Sequence, residues 1–176
     1  MASPQITHNA STASSDSSEA GSSWNSPDRA TNVPTSDAND TLVANVFVLS
    51  AGVTQYLKIT GFDFAIPSGA TIDGIKMRMK YQAYSGGDYG MVDNKVRIVK
   101  GGTIGSTDRA DTVTHWPITL DWSGYYGSTS DLWGETWTYS DINASNFGIA
   151  ISGNGPSYRI FNIDCVELTV YYTEAP

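Results

Sequence analysis

Cysteine occurs once in the 176-residue chain, at Cys165, and histidine twice, at His8 and His115. A single cysteine excludes an intramolecular disulfide framework, and this set cannot assemble a Cys/His zinc site. Stability must come from packing or from assembly. Basic residues are also few: ten Lys and Arg stand against eighteen Asp and Glu, a formal net charge of −8. A general nucleic-acid binder shows the opposite balance. No stretch reaches the roughly 18 consecutive apolar residues of a membrane-spanning helix. Met1-Ala2-Ser3-Pro4-Gln5 lacks the basic and apolar regions of a secretory signal, so a soluble chain made without an export signal is expected. Helical periodicity is missing too, with no convincing 3.6-residue pattern over 11 residues.

What is present is strand punctuation. Leu42 to Leu49 is a nearly continuous apolar run, Leu57 and Ile59 alternate with polar neighbours, and Phe62, Phe64 and Ile66 alternate up to Pro67-Ser68-Gly69. Ile75, Met77, Met79, Tyr81 and Ala83 point one way and Lys76, Arg78, Lys80 and Gln82 the other, because successive side chains on a strand face opposite sides. Ser85-Gly86-Gly87 marks a loop, Asn94 to Lys100 another strand, and Gly101-Gly102 a hairpin or loop. Phe147 to Ile151 and Val166 to Tyr172 complete the series. Short strands without intervening helices predict an all-β fold, an antiparallel β-sandwich of jelly-roll-like type.

Serine supplies 10 of the first 40 residues but only 11 of the remaining 136. With Ile6, Trp24 and Val33 as its main apolar residues, residues 1–40 cannot form a core alone and are expected as an extended N-terminal arm on a 41–176 sandwich domain. Trp24, with Pro27 fixing the local backbone and Arg29 supplying charge, is the candidate anchor of that arm on a partner or on its own sandwich.

Common hydrolase, metalloprotease and nucleotide-binding strings do not occur, and no catalytic residue, cofactor or metal is assigned. His115, near Asp111 and Trp116, has no nucleophile at a telling spacing. Asp131, Glu135 and Asp141 stand near aromatic residues as in a glycosidase cleft, but loop carboxylates are mostly solvated. Asp37, Asn39 and Asp40 fail the EF-hand pattern. Two clusters are sharper. Lys76, Arg78, Lys80, Lys95 and Arg97 would form a basic docking face if their strands are neighbours, the alternative being an ordinary wet sheet face. Four of the five tryptophans fall between Trp116 and Trp137, an aromatic cluster suited to stacking on a glycan, with Trp122, Tyr125 and Tyr126 as the candidates, or to filling a subunit interface, the alternative being core packing of most of the cluster.

Three stretches carry a resemblance. Trp24-Asn25-Ser26-Pro27, then Ile59 to Ile75 with its Phe64-Ala65-Ile66-Pro67-Ser68-Gly69-Ala70-Thr71-Ile72 core, then Leu132-Trp133-Gly134 to Ile149 with Val166 to Thr173, resemble a β-sandwich domain of bacteriophage structural proteins and some bacterial surface proteins. The resemblance spans residues 24–173 and brings no catalytic residues. It implies a non-enzymatic virion protein, foremost a capsid decoration or cement protein and next a tail or fibre component. Such a protein would be made in the host cytoplasm and sit on the outer surface of the particle. Its partners would be the major capsid protein or other virion subunits, in a homo-oligomer with a trimer preferred. The alternative is a carbohydrate-binding β-sandwich module.

Overall fold

The computed structural model describes residues 4–32, 43–48, 52–84 and 90–176. In chain order its strands are β1 (Gln5–Asn9), β2 (Thr12–Asp16), β3 (Ala44–Val48), β4 (Gly52–Val53), β5 (Tyr56–Thr60), β6 (Thr71–Tyr84), β7 (Val92–Lys100), β8 (Thr103–Asp108), β9 (Asp121–Trp122), β10 (Tyr126–Gly127), β11 (Gly148–Gly155) and β12 (Arg159–Thr173). They form two antiparallel sheets, as an all-β sandwich requires.

The clearest alternating stretch of the sequence, β6, pairs along its length with β12 as the spine of the first sheet. Met77, Met79 and Ile75 stand opposite Leu168, Val166 and Val170 and are buried, while Lys76 and Arg78 stand opposite Thr169 and Glu167 on the outer face. β1 and β3 extend this sheet from β12, and β9 and β10 from the far edge of β6. The second sheet runs β2-β5-β11-β7-β8, with β4 also on β11. Its Leu57, Ile59, Ile98, Ile149 and Ile151 meet the first sheet in one core, each contributing about 1.5–3 kcal/mol by burial. The β7–β8 hairpin turns on Gly101 and Gly102, with φ of 57° and 83°; two successive positive φ values suit the right-handed strand twist and favour glycine.

The Ser-rich segment is not a separate arm over its described length. β1 pairs with β12 and β2 with β5, so residues 5–16 close an edge of each sheet, and the expected boundary at 40/41 is corrected. Composition misled because an edge strand borrows its core from its neighbours and needs few apolar residues of its own. Residues 17–32 then pass from one sheet to the other: Ser22 bridges to Thr54, Asn25 to Asn45 and Thr31 to Cys165. Trp24 is 4% exposed, and its Nε1 donates to the Gln55 carbonyl at 2.8 Å. Residues 33–42, with Asp37, Asn39 and Asp40, and the 85–87 loop lie outside the described residues.

Two further readings change. Phe62, Phe64 and Ile66 are buried while Asp63 and Ala65 are exposed, yet the segment has no ladder partner among the described residues. Asn143 serves instead, its side chain accepting from the Ile66 amide and donating to the Ile66 carbonyl. A helix also forms, α1 (Tyr139–Asn143), held by a reciprocal Thr138–Asp141 capping box. One turn is too short to leave a periodic signature.

Candidate functional site

Two neighbouring irregularities in the sheets build the site. Trp122 stands opposite Lys80 and Tyr126 opposite Met77, and the Ser123 amide bonds to the Met79 carbonyl. Gly124 and Tyr125 therefore share the place opposite Arg78, the two-against-one arrangement of a β-bulge, which re-aims side chains. Tyr125 is thrown outward, 58% exposed, while Tyr126 turns into the core. Gly127, at φ 76°, lets this turn close on β6, where a Cβ would meet the Ile75 carbonyl oxygen at 2.3 Å.

The second irregularity lies between β7 and β11. Ser152 pairs with Lys95 but Gly153 with Asp93, so Asn94 is the extra residue and Asp93 is turned inward. Its carboxylate accepts from Trp116 Nε1 at 2.8 Å, Tyr126 Oη at 2.9 Å and the Asp111 amide at 2.9 Å, and only 1% of the residue is exposed. Burial raises the Asp93 pKa against these three donors, and burial also raises that of Tyr126.

Between the 109–114 loop and the 124–127 turn opens a cleft of about 440 Å³, lined by Tyr81, Asp93, Asp111, Val113, Tyr125 and Tyr126 among others. Asp111 is held by the Val113 and Thr114 amides at 3.0 and 2.9 Å, and hydrogen bonds from Thr114, chiefly its hydroxyl, lower its pKa. Tyr81 packs edge-on against Trp116 with ring centroids 4.8 Å apart, and burial pushes its hydroxyl up to about 12, so it stays a donor at neutral pH. Arg109 is tied bidentately to Asp131, at 2.7 and 2.9 Å, and braces the loop from below.

Tyr125 also belongs to the outer face of the first sheet. Lys76 Nζ lies 4.9 Å from the Tyr125 ring centre and 5.3 Å from that of Tyr171, and the Arg78 guanidinium lies 4.0 Å from that of Trp122. Trp122, Arg78, Tyr125, Lys76 and Tyr171 thus form a cation–π ladder, each contact worth about 0.5–1 kcal/mol at an exposed site. Glu167 anchors Arg78 at 2.6 Å.

The residues singled out in the sequence are distributed differently from expectation. Lys76, Arg78 and Lys80 lie on β6 in one sheet and Lys95 and Arg97 on β7 in the other, so the single basic face does not form. Four of these five are ion-paired: Arg78 with Glu167, Lys80 with Asp164, Lys95 with Glu19 and Arg97 with Asp108. Of the two placements expected for Trp24, a partner or its own sandwich, the structure has the second, while Pro27 and Arg29 sit half-buried in the adjoining 3-10 turn. Of the stacking residues Trp122 and Tyr125 reach the surface, whereas Tyr126 is a core residue whose hydroxyl serves Asp93. Asp131 binds Arg109 and Asp141 caps α1, so neither is poised with Glu135 as an acid pair. Asp93 and Tyr171 were missed. Strict alternation from Val96 and Ile98 puts Asp93 outside, and only the bulge reverses it. Neither protein-family models, nor curated proteins, nor solved structures match this chain.

Proposed function

We propose that the chain is a non-enzymatic virion structural protein, a capsid decoration or cement protein or a tail or fibre component, that docks on other virion subunits. The observation that supports it is the solvent-facing ladder of Trp122, Arg78, Tyr125, Lys76 and Tyr171. Trp, Tyr and Arg dominate the energetics of protein–protein interfaces, because large amphipathic side chains gain most when water leaves them. The location on a particle draws on the resemblance of residues 24–173 to phage structural domains. The partner is then the major capsid protein or a neighbouring subunit, and a homo-oligomer, with a trimer preferred, would cover the sheet edges symmetrically.

Particles assembled with and without the protein, compared by electron cryo-microscopy, test this. Surface density should be lost with the protein and restored on adding it back. The exposed-face variant Trp122→Ala should weaken re-binding by about 2 kcal/mol, roughly thirtyfold. Particles of identical composition and density in both preparations would refute the reading.

The cleft favours a second reading, a carbohydrate-binding module. Pockets of about 300–1,000 Å³ with a few placed polar groups suit small ligands, and this one presents an exposed ring at its rim.

A further inference from the structure

We propose that the cleft between the 109–114 loop and the 124–127 turn binds an uncharged saccharide unit, with Tyr125 as the stacking ring and Tyr81 and Asp111 as the hydrogen-bonding groups. This rests on the carbohydrate-binding reading and is independent of where the protein resides.

The strongest pointer is Tyr81. It is 8% exposed, it lines the cleft, and its hydroxyl has no hydrogen-bond partner among the described residues. The ring is buried but the hydroxyl opens on the cleft, so it can both donate to and accept from a molecule bound there. Tyr126, one strand away, is the contrast, because its hydroxyl is consumed by Asp93.

The other lining groups select the class of ligand. Asp111 is exposed and its lowered pKa keeps it ionised, and a carboxylate has about four acceptor positions. Two amides and the Thr114 hydroxyl occupy three, which leaves capacity for a ligand hydroxyl. Asp93 and Asp111 in one cleft, with Arg109 already committed to Asp131, disfavour an anion. An ammonium ligand prefers a cage of several ring faces. Here Tyr81 is packed on Trp116 and Tyr126 is 9% exposed, so Tyr125 is the one exposed ring among the cleft's three tyrosines, and with Lys76 Nζ already 4.9 Å from its centre it disfavours a second cation. Donors for a carboxylate, an acceptor for a phenol and an apolar face for one aromatic ring are the attributes of a sugar. Val113, 81% exposed at the rim, adds a further apolar contact.

Amide chemical-shift mapping of the full chain with glucose, galactose, mannose and N-acetylglucosamine tests the assignment, with glucuronate and methylammonium as charged controls. At least one neutral sugar should shift amides in 111–114 and 124–127. Tyr81→Phe, which keeps the ring on Trp116 and removes only the hydroxyl, should weaken that binding about tenfold. Tyr125→Ala, at an exposed position, should weaken it at least as much. Preference for either charged control, or sugar binding unchanged in both variants, overturns the proposal. Shifts confined to the Trp122 and Tyr171 face would refute the cleft while leaving carbohydrate binding standing. No shift with any sugar would remove both, without touching the particle experiment.

Discussion

Trp24 shows how one residue can reverse the reading of a whole segment. In a Ser-rich stretch a lone tryptophan suits either a partner's pocket or the chain's own core, and the Nε1 bond to Gln55 decides for the core. Trp24→Ala should therefore cost about 3–5 kcal/mol of folding stability. Chemical denaturation would measure it, and an unchanged midpoint would contradict the burial. Asp93 makes the complementary point. A carboxylate that meets three donors belongs to the scaffold, so its value to the cleft is that it fixes Trp116, Tyr126 and the Asp111 amide in place. Tyr81, whose hydroxyl opens on the cleft, is the residue through which the proposed ligand contact would run.

At the scale of elements, the bulges do more than the regular ladders to shape the surface. The Gly124–Tyr125 bulge separates the two adjacent tyrosines to opposite sides of the sheet, and the one at Asn94 carries Asp93 inward. A third lies in β12, where Asp164 is the extra residue between Ile163 and Cys165. Its buried carboxylate faces Lys80 Nζ at 3.3 Å and accepts from Asn32 at 3.1 Å, tying the 17–32 segment to the spine. Removing one partner of a buried pair strands the other, so Asp164→Ala should destabilise by about 3 kcal/mol, read by thermal or denaturant unfolding. Deleting residues 1–22 should be worse for solubility than for any single contact. It strips β1 from β12 and β2 from β5, exposing an unpaired edge in each sheet, and aggregation in light scattering is the expected outcome.

For the whole molecule, acid should be the sensitive direction. Asp16 is held below the ordinary 3.8 mainly by the Ser18 side chain, Asp111 by that of Thr114, Asp131 by Arg109 and Asp141 by Thr138. A carboxyl with a depressed folded pKa contributes stability above its unfolded value, and that contribution is lost as pH falls through the folded value. Asp93, raised by burial, has the opposite sign: its contribution is present below 3.8 and fades as pH rises through its folded pKa. Four depressed groups against one raised group predict a denaturation midpoint that drops below about pH 4. Asp131→Asn should flatten that drop, since the Arg109 bond no longer depends on an ionised partner; an unchanged pH profile would show that the bond carries no linkage.

Alternation of apolar and polar residues determined the all-β class by itself, because a period of two leaves a strand one dry face and one wet face whatever its neighbours are. β6, β7, β11 and β12 were legible on that ground, and Trp122 and Tyr125 were within reach because aromatic residues among Gly and Ser suggest loops. Everything that depends on pairing was decided by tertiary structure. The sequence of residues 5–16 carries too little apolar surface to announce a strand, and only the open edges of β12 and β5 make it one. The grouping of Lys76 with Lys95 failed because proximity along the chain does not say which sheet a strand joins. The cleft itself comes from two bulges, each a single extra residue against a partner strand, and a residue is extra only once its partner is in place.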